Sequence, residues 1–82
     1  MKNNLKQSVE NWFHDSKDFA LQNYATCYEW LSTYVRNCDQ EFLGDFFTYD
    51  EIENNDVETL RKRALEWLDQ NAEDCVNFED YR

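Results

Sequence analysis

The chain has 82 residues, a net charge of −10, one glycine, no proline and three cysteines, with three Trp, five Tyr and six Phe among its apolar residues. That length allows one domain, residues 1–82, with no room for a second core. The acidity disfavours direct contact with nucleic acid or anionic lipid and favours a basic protein partner.

The first helix is read from Asn4 to His14, where Leu5, Val9, Trp12 and Phe13 recur at helical spacing. Asp15-Ser16 reads as a break and N-cap, with Asp18 suited to the first turn that follows. His14, the single histidine, would then meet the negative end of the first helix, and the sequence offers no Ser-His-Asp or His-rich metal constellation around it. The stretch from Ser16 to Cys38 reads as the central helix. Ala20, Tyr24, Cys27, Leu31, Val35 and Cys38 form one line, widened by Phe19, Trp30 and Tyr34 and by Leu21 and Tyr28. So broad an apolar arc needs neighbours on two sides.

Asp39 can cap a short helix through Phe42, Leu43, Phe46 and Phe47, with Gly44 inside it. Thr48 to Glu51 has the capping-box pattern, and Asn54-Asn55 reads as a turn. Asp56 caps the last long helix, whose stripe is Val57, Leu60, Ala64, Trp67 and Leu68, extending to Cys75. The tail is expected to fold back through Phe78 and Tyr81 or to fray. The fold class is all-α: three long helices plus one or two short helical turns. The expected core is Tyr24, Cys27, Leu31, Val35, Leu60, Trp67 and Leu68.

Chemistry-bearing patterns are scarce. Cys27 and Cys38 on one continuous helix would stand about 16 Å apart in rise, too far to share a metal or a disulfide. A bridge from Cys75 to either is open by spacing. There is no Cys-x-x-Cys, and the Asp50, Glu51 and Glu53 cluster lacks the spacing of a calcium loop. The expectation is no metal, no cofactor and no enzymatic activity. The opening Met-Lys-Asn-Asn has no apolar run and no segment is long enough to span a bilayer, which suggests a cytoplasmic protein.

The distribution of charge is the informative feature. From Asn37 to Leu60 there are eight acidic residues and no base, and from Ala64 to Tyr81 six more without one. Solvated helices ordinarily mix signs, so these runs suggest carboxylates arrayed to imitate a phosphate backbone. The candidate partner-binding residues are Asp45, Asp50, Glu51 and Glu53 in the middle and Glu66, Asp69 and Glu73 on the last helix. Phe46, Phe47, Tyr49 and Trp67 could add anchoring contacts. In size, charge and helical build the chain resembles the small acidic inhibitors that phages and mobile elements make. That group includes anti-restriction proteins, anti-CRISPR proteins and DNA-glycosylase inhibitors. The resemblance implies a protein inhibitor that fills a basic nucleic-acid-binding site. The alternatives are an adaptor that homodimerises or binds through surface aromatics, with Trp30 and Phe47 as anchors, and an immunity protein that neutralises a toxin.

Overall fold

In a computed structural model of the chain, described over residues 1–37 and 40–82, the protein is all-α. The helices are α1 (Leu5–Asn23), α2 (Cys27–Asn37), α3 (Gln40–Leu43), α4 (Tyr49–Asn54) and α5 (Val57–Cys75), followed by a 3-10 turn over Phe78–Tyr81. The expected cap at Asp39 and the Cys27–Cys38 separation involve residues outside those described.

The break between the first two long helices lies elsewhere than the apolar pattern suggests. Helix α1 runs through Asp15 with only a kink, where Ser16 takes the non-helical angles φ −123°, ψ 22°. The chain leaves the helix at Tyr24, which is extended. Capping chemistry decides this. The Thr26 hydroxyl accepts from the Glu29 N–H at 3.1 Å, and the Glu29 carboxylate reaches back to the Ala25 N–H at 3.2 Å. Thr26-Cys27-Tyr28-Glu29 is thus a second Thr-x-x-Glu pattern that starts α2 much as Thr48 and Glu51 start α4. On the other side, the Asn23 amide donates back to the Phe19 carbonyl, and the Arg82 guanidinium donates to the Leu21 carbonyl freed at the end of α1. His14 therefore sits in mid-helix rather than at a C-terminus, and is exposed.

The interruption also moves the centre of the bundle. It is α5, not the 16–38 stretch, that packs against α1, α2 and α3. Its buried side is Leu60, Ala64, Leu68 and Ala72, recurring every four residues. Val9 and Phe13 of α1, Trp30, Leu31 and Val35 of α2, and Leu43, Phe46 and Phe47 are among the residues that pack with it in the core. Tyr24 and Trp67, expected inside, are half-buried, and Phe19 is 50 % exposed because α1 and α2 do not continue one face. Helix α3 stops before Gly44, and a turn carries Phe46 and Phe47 inward, with both N–H groups donating to the Leu43 carbonyl at 3.0 Å. The tail does fold back. Phe78 is buried with its ring 5.2 Å from Phe13 and 6.2 Å from Trp30, and Tyr81 lies 4.9 Å from Phe13.

The two possible helix starts are separable by mutation. Thr26→Ala should lower stability by about 1 kcal/mol, the usual worth of an N-cap, and Ser16→Ala by much less, measured by urea unfolding. A larger loss at Ser16 than at Thr26 would contradict this placement of the break.

Candidate partner-binding surfaces

The seven candidate carboxylates divide into groups with different surroundings. On α4, Glu51 closes the capping box with Thr48 and also meets the Met1 amino group at 2.7 Å. That amino group first, and the Thr48 N–H second, hold its carboxyl down at about 2. Glu51 is thereby occupied in joining the first residues to α4. Asp50 and Glu53 are exposed, and Glu53 hydrogen-bonds the hydroxyl of Tyr49, pushing that phenol up. Tyr49 itself is 73 % exposed. Helix α4 has no fully buried residue and rests on the core through the half-buried Ile52, which leaves Asp50, Glu53 and Tyr49 outward.

The α5 carboxylates are less uniform than the sequence implies. Glu66 and Asp69 line a groove between α2 and α5 together with Glu58, but Arg36, Arg61 and Lys62 line it too. Arg61 pairs with Glu58 at 3.3 Å. The negative field there is partly cancelled by bases that the sequence places in α2 and one turn away on α5. Glu73 does not line that groove. Its carboxylate accepts from the Tyr28 N–H at 3.2 Å, at the positive end of α2, and so helps to start that helix.

Asp45 belongs to a third setting. It lines a cleft of about 230 Å³ with Asp15 and the side chains of Trp12, Trp30, Tyr34 and Phe42. The kink at Ser16, also on its wall, brings α1 to this cleft. Tyr34 and Phe42 stack at 5.7 Å, and Trp30 meets Tyr34 edge-on at 6.3 Å. The cleft gathers residues from α1, α2, α3 and the following turn, and no local sequence signal announces it. The surplus of aromatic residues is its only trace in the sequence.

The aromatic anchors expected from sequence sort differently. Trp30, Phe46 and Phe47 are core residues, exposed by 2 % or less, so Trp30 and Phe47 cannot anchor a partner from the surface. Tyr49 is the aromatic that the acidic segment presents outward. Trp30 also carries a buried indole N–H without an acceptor among the described residues.

Little here favours covalent chemistry. Burial first, then the negative charge of Glu73, pushes the Cys27 thiol up to about 12, and burial raises Cys75 as well. Both are free thiols. Among the described residues no three His, Cys, Asp or Glu side chains gather as a metal site, and no helix is long and apolar enough to cross a membrane. No protein-family model, characterised protein or solved structure matches this chain.

Two outcomes follow from these environments. Because the Glu51 carboxyl is depressed in the fold, its stabilising effect is present above the ordinary carboxylate range and is lost as pH falls from about 4.5 towards about 2. Thermal unfolding against pH should therefore fall more steeply in that window for the native chain than for Glu51→Gln, and equal slopes would contradict the assignment. Trp30→Phe should cost no more than about 2 kcal/mol, since deleting an unsatisfied buried donor offsets part of the lost packing. A loss of 4 kcal/mol or more, on the order of a full aromatic truncation, would mean the N–H is satisfied in solution.

Proposed function

We propose that this protein is a small acidic inhibitor that seats in the basic nucleic-acid-binding site of a partner protein, of the kind phages and mobile elements direct against host enzymes. The observation that carries this reading is the display of α4. Asp50 and Glu53 are exposed and lack a basic partner among the described residues, on a helix that has no fully buried residue and meets the core only through the half-buried Ile52. They lie about 4.5 Å apart in rise, similar to the spacing of charges along a phosphate backbone. Tyr49 beside them supplies the large, partly polar contact surface common at binding hot spots. Asp45, on the turn that leads to α4, is likewise exposed and in no ion pair among the described residues.

The partner in this reading is a basic nucleic-acid-binding enzyme or complex in the cytoplasm, and the chain acts by occupancy rather than by catalysis. The sole histidine is exposed on α1, and the two described thiols are shifted away from thiolate. The α4 segment outranks the α5 carboxylates, because Arg36, Arg61 and Lys62 share the groove of Glu66 and Asp69.

The test uses a partner captured from host lysate with the tagged protein. Its affinity should fall steeply between 50 and 300 mM salt, because exposed charge pairs are screened. Asp50→Lys with Glu53→Lys should weaken binding at least tenfold with far-UV circular dichroism unchanged. Glu66→Lys with Asp69→Lys should weaken it less. Binding that ignores salt and survives the α4 pair would refute the proposal.

A further inference from the structure

The cleft beside the Ser16 kink has a chemistry distinct from the rest of the acidic surface. Its walls are aromatic: Trp12, Tyr34 and Phe42 are half-buried there and Trp30 is almost wholly buried. Among the described residues, Asp15 and Asp45 are the charged ones that line it, both exposed and neither in an ion pair. Among the described residues no lysine or arginine lines the cleft. Lys17, the nearest base in sequence, places its ammonium 5.0 Å from the centre of the Tyr81 ring instead. The α2–α5 groove, with its three bases, is the contrasting case.

Electron-rich ring faces beside uncompensated carboxylates attract cations. Among the cations of a protein, the guanidinium suits such a setting best. It is planar and weakly hydrated, stacks on aromatic rings, and presents a fork of donors to a carboxylate. A cleft of about 230 Å³ has room for one such side chain. We infer that the aromatic cleft lined by Trp12, Tyr34, Phe42, Asp15 and Asp45 takes an arginine side chain of the basic partner. This rests on the reading of the protein as an inhibitor of a basic site, and adds to it the residue type that is recognised and the place where it docks. The carboxylates at α4 then supply attraction over the surface, while the cleft supplies a pocket for one residue.

The inference is testable without the partner. The probe is a capped pentapeptide, Gly-Ser-Arg-Ser-Gly, titrated into the 15N-labelled protein at low salt. Its counterparts carry citrulline, which keeps the shape without the charge, or lysine. The arginine peptide should shift the Trp12 indole signal and the amides of Asp15, Ser16 and Asp45 along one saturable curve. The lysine peptide should bind at least threefold more weakly, and the citrulline peptide should produce no saturable shift. Asp15→Asn with Asp45→Asn should weaken the arginine peptide at least fivefold while leaving the remaining spectrum in place. Shifts confined to Asp50 and Glu53 would overturn the cleft and leave the α4 reading standing. Equal binding of the citrulline peptide, or no saturable shift at any site, would also overturn it, and the salt dependence of the captured partner judges the broader reading separately.

Discussion

The fold depends on one aromatic junction. Phe13 of α1 lies 6.2 Å from Trp30 of α2 and 5.2 Å from Phe78 of the tail, and Trp30 and Phe78 are 6.2 Å apart. All three are nearly inaccessible to solvent. A chain of this length buries only a modest fraction of its surface, so large side chains must do much of the stabilising. The junction also fixes the path of the chain. It holds the tail across α1 and α2, which brings Arg82 to the carbonyls of Leu21 and Tyr24. The end of α1, the start of α2 and the last residues are therefore coupled.

From that junction follows the division of labour on the surface. Core packing claims α1, α2 and α5, and also the turn that holds Phe46 and Phe47. It makes little demand on α4, which stands outward with its acids and Tyr49. Some carboxylates that look alike in sequence are used for local structure: Glu29 and Glu73 help to start α2, Glu51 starts α4, and Asp56 starts α5 by accepting from the Thr59 N–H at 2.8 Å. The acidity is thus partly structural, and α4, where packing imposes least, keeps Asp50 and Glu53 exposed.

The helices and most of the core were legible because burial follows helical periodicity. Leu60, Ala64 and Leu68 on α5, and the caps at Thr48 and Asp56, lie where spacing and chemistry place them. The break between α1 and α2 was not legible from apolar spacing, since Ala20, Cys27 and Leu31 happen to stay in phase across it. The Thr26 to Glu29 pattern was the local signal, and it outweighs the Asp-Ser pair at 15–16 because it satisfies two donors. The sites were less legible still. Cancellation of Glu66 and Asp69 by Arg36 depends on how α2 lies against α5, and the aromatic cleft on how four segments meet. Both are properties of packing, which a linear pattern of charge does not carry.

Imitation of a nucleic acid makes a claim about mutual exclusion that mere attraction does not. The direct measurement is fluorescence anisotropy of a labelled oligonucleotide bound to the captured partner, followed as this protein is added. If the protein occupies the nucleic-acid site, the oligonucleotide is displaced completely at about one equivalent of tight-binding protein. A stable ternary complex, with the oligonucleotide still bound at saturating protein, would contradict the account.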